Sequence, residues 1–126
     1  MTRKRLDPTF ALGRLPVGTM NRTEAAYAAV LEQRKQAGEV AWYSFEGMKF
    51  RLADKTFYTP DFAVMLADRT LECHEVKGYW QDDARVKIKL AAELFPIRFV
   101  AVRLIKKQWE YESFGDCHAA EHGEGE

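Results

Sequence analysis

The chain contains FYTPDFAVML at residues 57–66 and LECHEVK at residues 71–77. Both stretches are rich in the apolar, β-branched and aromatic residues that favour strands. The turn between them, residues 67–70, is short enough for a hairpin, so we expect the two strands to be antiparallel neighbours. Pro60 has no backbone N–H and is therefore expected at an edge, at an end or in a bulge of its strand.

Side chains along the second stretch are expected to alternate between two faces of a sheet. One face would carry Leu71, Cys73, Glu75 and Lys77, and the other Glu72, His74 and Val76. An irregularity at Pro60 can change the direction in which Asp61 points. Asp61 is then within reach of Glu75 across the hairpin.

The predicted site combines two carboxylates, Asp61 and Glu75, with the amine of Lys77. Carboxylate oxygens suit Mg²⁺, which is commonly held by one or two carboxylates together with substrate phosphate oxygens. This combination is typical of metal-dependent phosphodiester cleavage, in which a lysine transfers protons or balances charge. The alternative is structural, with Asp61 in a turn after proline and Glu75 and Lys77 as a solvated pair.

Glu24 is a third acidic candidate, because it shares one helical face with Tyr27, Ala28 and Leu31. Its competing role is in a capping box, in which Asn21 is the N-cap and the Glu24 side chain reaches back to the backbone. The sequence leaves both roles open.

Pro60-Asp61 followed by Glu75-Val76-Lys77 resembles the motif of the PD-(D/E)XK nuclease superfamily. That motif is a Pro-Asp pair followed by an acidic residue, one apolar residue and a lysine. The expected order of elements over residues 21–105 is similar to the superfamily core. Residues 21–31, 58–62 and 74–78 look most like small phage-encoded members, which are related to phage junction-resolving endonucleases.

The resemblance implies an α/β fold with a restriction-endonuclease-like core, a central mixed β-sheet flanked by helices in the order α-β-β-β-α-β. It implies a Mg²⁺- or Mn²⁺-dependent DNA endonuclease that hydrolyses phosphodiester bonds, with branched DNA such as Holliday junctions as one candidate substrate. The alternatives are a nicking or end-processing nuclease and a non-catalytic DNA-binding or assembly subunit. A pure binder gains nothing from a buried carboxylate cluster that repels phosphate in the absence of metal.

The resemblance also implies residue roles. Asp61 and Glu75 would hold the metal with help from the Val76 carbonyl, and Glu24 would complete or extend the site. Lys77 would orient or deprotonate the attacking water, or stabilise the developing negative charge. Three acidic candidates permit one metal ion or two.

A helix is expected from Asp82 to about Phe95, with a core face of Ala84, Ile88, Ala91 and Phe95. Arg85 and Lys89 lie off this face and are candidates for phosphate contacts. Lys87 lies with Leu90, Ala91 and Leu94, so it either leans toward the site or packs its stem and turns its ammonium outward.

The remaining elements follow from local patterns. We expect a first helix over residues 22–37 that ends at Gly38, and strands over residues 40–45 and 48–52. Residues 97–105 are the most apolar stretch and should form a central strand. Residues 106–111 are expected to add an edge strand, in which Trp109 and Tyr111 either cover the core or stack on bases.

The 126 residues, 47% of them hydrophobic, fit one compact domain. We expect a basic irregular N-terminal arm at residues 1–20, the nuclease domain at 21–114 and an acidic disordered tail at 115–126. Net charge is zero, but residues 76–109 carry eight basic and three acidic side chains, and residues 110–126 carry none and six. The basic part would face DNA.

No apolar run of transmembrane length and no secretory leader is present, so no membrane partner is expected. We expect a cytoplasmic protein, in a bacterial host cell if the chain is phage-encoded. The two cysteines, Cys73 and Cys117, do not suggest a disulfide framework, and adjacent Cys and His residues on a strand point apart, which disfavours zinc. Cutting both strands with so small a domain would be simplest for a homodimer.

Overall fold

The computed structural model describes residues 18–77 and 82–115. The predicted N-terminal arm (1–20) and tail (115–126) lie almost entirely outside these residues, as does the turn at Gly78. The helices are α1 (Arg22–Gln36) and α2 (Asp82–Leu94), and the strands are β1 (Val40–Phe45), β2 (Phe50–Ala53), β3 (Thr56–Tyr58), β4 (Phe62–Leu66), β5 (Leu71–Lys77), β6 (Arg98–Ile105) and β7 (Gln108–Phe114).

Five strands form the main sheet, in the order β1-β4-β5-β6-β7. β5 and β6 are parallel and are connected through α2, whereas all other neighbours in this sheet are antiparallel. β4 and β5 form the predicted hairpin, with Phe62 opposite His74. The structure is therefore an α/β fold with a mixed sheet and two helices, as expected from the sequence.

The two helices have clear local causes. α1 begins after Asn21, whose side chain accepts a hydrogen bond from the Glu24 N–H, and Gly38 follows its end with φ of +87°. Glycine tolerates this left-handed conformation because it has no Cβ. α2 covers nearly the predicted range and buries Ile88 and Ala91. Both helix predictions are confirmed to within a residue at each end.

The prediction of one strand over residues 57–66 is wrong in extent. β3 ends at Tyr58 and β4 begins at Phe62, and the two strands belong to different sheets, because β3 pairs only with β2 in a separate two-stranded sheet. Pro60 is fully buried between them, and its missing N–H prevents a continuous ladder. Asp61 therefore lies in the short connection where one sheet ends and the other begins.

Two apolar clusters occupy opposite faces of the main sheet. On the α1 face, Tyr27 and Leu31 pack with side chains of the sheet; these are Val40, Phe62, Val64, Val76, Val100 and Val102. On the α2 face, Ile88 and Ala91 pack with side chains of both sheets; these are Phe50, Leu52, Tyr58, Cys73, Phe99 and Ala101. Residues of β5 and β6 alternate between the clusters, as strand geometry requires, whereas β4 contributes Phe62 and Val64 to the α1 face. Helices thus cover both faces of the sheet.

The two C-terminal strands lie in the sheet as predicted, but the bounds of β7 differ from the prediction. β6 lies inside the sheet between β5 and β7, and β7 forms the edge. Lys106 and Lys107 belong to the turn, with φ of 51° and 66°, so β7 begins at Gln108. The Trp109 ring lies 5.1 Å from that of Tyr27, so Trp109 packs on the core. Base stacking by Trp109 or Tyr111 stays a prediction.

Within residues 18–77 and 82–115, no helix is both long enough and apolar enough to cross a membrane.

Candidate active site

Asp61 and Glu75 lie together at the open end of the β4–β5 hairpin, opposite its turn. The backbone N–H of Val76 donates to Asp61 Oδ2 over 2.8 Å, and the backbone N–H of Asp61 donates to Glu75 Oε1 over 3.3 Å. Asp61 is thus hydrogen-bonded to β5 twice, through its backbone to the side chain of Glu75 and through its side chain to the backbone of Val76. The expected convergence of Asp61 and Glu75 is present in the structure.

Tyr58 is a third member of this group that sequence analysis did not select. Its hydroxyl donates to Glu75 Oε1 over 3.0 Å, and only 8% of the residue is exposed. Burial, with the negative charge of Glu75 nearby, raises the pKa of the Tyr58 hydroxyl far above its ordinary value. It therefore remains a proton donor that orients Glu75. The signal in the sequence was the alternation along β3, which turns Tyr58 inward and Phe57 outward.

Lys77 lies on the same face of β5 as Glu75, two residues along the strand, as predicted. Its Nζ atom is 3.1 Å from Glu75 Oε2. Both side chains are mostly shielded, with 27% and 12% exposed respectively. One carboxylate oxygen of Glu75 thus contacts the lysine, and the other accepts from Tyr58 and from the backbone of Asp61.

The Asp61 carboxyl group is in an environment that disfavours its charged form. Burial and then the negative charge of Glu75 raise the pKa of Asp61 to about 8, and Glu24 adds to this rise. The Val76 N–H and Lys77 act in the opposite direction but do not cancel it. Near neutral pH the folded protein therefore favours the protonated form of Asp61, and a cation bound between Asp61 and Glu75 would take the place of that proton.

Glu24 forms the capping box. Its Oε1 accepts a hydrogen bond from the Asn21 backbone N–H over 2.8 Å, while its own N–H donates to Asn21 Oδ1 over 2.8 Å. Its charge also contributes to the raised pKa of Asp61. The capping role is present in the structure, and the role of Glu24 as a metal ligand stays a prediction.

A cleft of about 300 Å³ opens beside Glu75 and Lys77. Its other lining residues come from β3, the connection after it and α2; these are Phe57, Tyr58, Thr59, Ala84 and Lys87. Lys87 thus lines the cleft, and the direction of its ammonium group stays a prediction.

Arg85 and Lys89, the other basic candidates on α2, lie elsewhere. Arg85 forms a two-point ion pair with Glu112 of β7, over 3.1 and 3.3 Å, and Lys89 lines a separate hollow with Phe114. The structure brings Lys87 to the predicted site and directs Arg85 and Lys89 toward β7.

The oxygen atoms of Asp61 and Glu75 are chemically suited to Mg²⁺ or Mn²⁺, and the raised pKa of Asp61 is the electrostatic condition that a bound cation would relieve. The backbone at Val76 is adjacent, since its N–H already contacts Asp61. Among the residues that the structure describes, no three His, Cys, Asp or Glu side chains are grouped closely enough to hold a metal by themselves. A two-carboxylate magnesium site does not require a third such ligand, because water and phosphate oxygens supply the rest.

The opposite face of β5 carries a buried polar chain that the sequence did not predict. The Tyr27 hydroxyl is 2.7 Å from His74 Nδ1, His74 Nε2 is 2.9 Å from Glu72 Oε1, and Glu72 Oε2 is 3.1 Å from Arg98. Cys73 instead packs on the α2 face, where burial raises the pKa of its thiol to about 12. Cys73 and His74 point to opposite faces, as expected, which agrees with the argument against a zinc site.

Comparisons with known proteins add no identity to this geometry. Protein-family models, curated proteins and solved structures give no match. The interpretation of the site therefore depends on its residues and their arrangement.

Proposed function

We propose that this protein is a Mg²⁺- or Mn²⁺-dependent DNA endonuclease with a restriction-endonuclease-like core of the PD-(D/E)XK type. The observation that carries the proposal is that Glu75 and Lys77 line one cleft in contact with each other, while the Asp61 backbone donates a hydrogen bond to Glu75 and the Asp61 carboxylate accepts one from the next residue, Val76. Hydrolysis of a phosphodiester bond needs a cation site, a group that handles protons and access for an anionic strand, and this cleft can meet all three needs.

The core order supports the same interpretation. α1, β1, β4, β5, α2 and β6 follow the expected α-β-β-β-α-β order, and the β2–β3 hairpin is an insertion between the first and second strands of that core. β4 and β5 are antiparallel and β5 and β6 are parallel, so the sheet is mixed. Glu75 lies on the central strand β5, and Asp61 lies immediately before its neighbour β4.

In the proposed reaction each residue of the site has a distinct part. Asp61 and Glu75 would hold the divalent ion beside the Val76 carbonyl, and the bound ion would polarise the phosphate and make water more acidic. Tyr58 fixes the rotamer of Glu75 through its hydroxyl. Lys77 would orient or deprotonate the attacking water, or stabilise negative charge on the phosphate, and Lys87 would contact the strand from the α2 side.

The proposal is tested by incubating the protein with linear duplex, single-stranded, flapped and four-way DNA in the presence of Mg²⁺ or Mn²⁺. Asp61→Asn and Lys77→Met proteins should lose cutting by at least about a hundredfold, in line with the loss of a catalytic group. The matched controls are Glu110→Gln and Lys35→Met, which change an exposed acid and an exposed lysine away from the cleft. Undiminished cutting by folded Asp61→Asn protein would refute the assignment.

The four substrates also separate the candidate activities. Selective cutting of four-way DNA by a homodimer would identify a junction-resolving enzyme, since a symmetric dimer offers one site to each of two strands. Equal cutting of linear and branched DNA by a monomer, measured with its solution mass, would identify a nicking or end-processing nuclease. DNA binding without cutting at any metal concentration would identify a non-catalytic subunit.

A further inference from the structure

The β2–β3 hairpin has an exposed surface that the proposed chemistry does not use. We name it the outer hairpin face, and it consists of Lys49, Arg51 and Phe57. Arg51 and Phe57 are direct cross-strand partners, so their side chains share one face of the hairpin. Lys49 Nζ lies over the Phe57 ring at 4.8 Å from its centre. The surface therefore combines an aromatic ring with two cationic side chains.

Phe57 is exposed although the hairpin has a buried side for apolar residues. Its neighbours on the inner side, Phe50, Leu52 and Tyr58, pack against α2 and the main sheet. Phe57 is 43% exposed and Lys49 covers only part of its ring. A large apolar side chain held on the outside of a three-residue strand beside basic groups indicates a ligand with both a flat apolar part and negative charge.

The outer hairpin face is continuous with the cleft. Phe57 precedes Tyr58, whose hydroxyl contacts Glu75, and both residues line the cleft together with Thr59. A strand whose phosphate lies at Glu75 and Lys77 would therefore place its next nucleotides at the outer hairpin face. Exposed aromatic rings stack on bases without regard to sequence, and flanking cations follow the phosphates.

We propose that the outer hairpin face binds unpaired nucleotides of a DNA strand, with Phe57 stacked on one base and Lys49 and Arg51 on the adjacent phosphates. In a duplex the faces of the bases are covered by their neighbours, so only an unpaired base can stack on Phe57. The inference rests on the proposed function for the path of the strand. It narrows the substrate class to DNA with unpaired nucleotides beside the cleavage position.

The charges on the hairpin permit this contact. Arg51 has one acidic neighbour on the hairpin, Asp54, at 3.4 Å, and the two side chains are 63% and 83% exposed. An exposed pair of this kind is weak and is readily exchanged for a phosphate contact. Binding by Arg51 therefore does not require the loss of a buried interaction.

The test is equilibrium binding of a labelled single-stranded oligothymidine and of a duplex of equal length, measured by fluorescence anisotropy in EDTA. Phe57→Leu protein should bind the single strand about tenfold more weakly and the duplex unchanged, because stacking is lost while the apolar side chain is kept. Phe57→Trp should restore binding. The matched control is Trp42→Leu on β1, an aromatic residue that is 45% exposed and belongs to the main sheet, not to the β2–β3 hairpin. This variant should bind as the wild type does.

Equal affinity of wild-type and Phe57→Leu proteins for the single strand would overturn the inference. So would a loss of affinity for the duplex as large as the loss for the single strand. Tighter binding of an RNA strand of matching length would overturn the assignment to DNA. Because the assay contains no divalent ion, its result is separate from cutting. Phe57-dependent binding without any cutting would refute only the proposed nuclease, whereas cutting that does not depend on Phe57 would refute only this inference.

Discussion

Asp61→Asn should stabilise the protein at alkaline pH and remove its response to divalent metal. The pKa of Asp61 is raised from 3.8 to about 8 by burial and by Glu75. Between these values the folded chain holds a proton that the unfolded chain releases. The free energy of unfolding of the wild type therefore has its full contribution from Asp61 below about pH 4 and loses it as the pH rises to about 8. Asparagine still accepts from the Val76 N–H and never ionises.

The magnitude follows from the size of the shift. One pKa unit corresponds to about 1.4 kcal/mol, so the rise of about four units from 3.8 to about 8 corresponds to roughly 6 kcal/mol. Water entry and side-chain relaxation around the ionised group relieve a part of such a penalty, and we take about half. At about pH 9 we expect the free energy of unfolding of Asp61→Asn to be about 3 kcal/mol higher than that of the wild type. This corresponds to a rise of roughly 10 °C in melting temperature.

The assay is chemical denaturation of both proteins at about pH 5, pH 7 and pH 9. The control is Asp54→Asn, whose side chain is 83% exposed and should leave the pH profile unchanged. A saturating divalent ion at about a hundred times its dissociation constant should stabilise the wild type by about 2.7 kcal/mol and Asp61→Asn by almost nothing. Parallel pH profiles for wild-type and Asp61→Asn proteins would refute the reasoning.

Four further substitutions test single contacts. Tyr58→Phe should lower cutting by about tenfold and stability by about 1–2 kcal/mol, since Glu75 loses a buried donor; unchanged cutting would exclude orientation by Tyr58. Glu24→Gln should keep the capping box, whereas Asn21→Ala should lower the free energy of unfolding by about 1 kcal/mol. If calorimetry shows that metal affinity is lost in Glu24→Gln but kept in Asn21→Ala, Glu24 is a metal ligand. Tyr27→Phe should lower the free energy of unfolding, measured by chemical denaturation, by about 1–3 kcal/mol, because buried His74 loses its partner. A Tyr27→Phe protein as stable as the wild type would contradict this prediction.

The main features of the fold could be predicted from the sequence because they depend on local signals. The Asn21 cap and Gly38 set the ends of α1, and the short turn between residues 66 and 71 made β4 and β5 antiparallel neighbours. The apolar run over residues 97–105 predicted a central strand, and β6 lies inside the sheet beside the central strand β5. Each of these signals lies within a few residues of the feature that it determines.

The division of residues 57–66 between two sheets could not be predicted. Pro60 allowed an edge, an end or a bulge, and all three satisfy its missing N–H. The choice depends on where the β2–β3 hairpin packs, and this is determined by burial of Phe50 and Leu52 against α2, far away in sequence. Tertiary contacts decided between options that the local pattern left equal.

The sequence predicted which acidic and basic residues lie together in the candidate site, but it did not predict all of their contacts. Strand alternation placed Glu75 and Lys77 together, and the structure has them 3.1 Å apart. The hydroxyl of Tyr58 was missed because a tyrosine among Phe57, Phe62 and other apolar residues indicates packing. The orientations of Arg85 and Lys87 were likewise open, since one ion pair with Glu112 decides the first.

The polar chain behind the sheet fixes the alignment of β5 with its neighbours. Glu72 and Arg98 are direct partners across β5 and β6, and His74 reaches Tyr27 on α1. A slip of β5 by one position would invert every side chain on it, bringing Cys73 and Glu75 beneath α1 and leaving Arg98 facing no carboxylate. The alignment of β5 that pairs Glu72 with Arg98 is therefore also the one that places Glu75 beside Asp61.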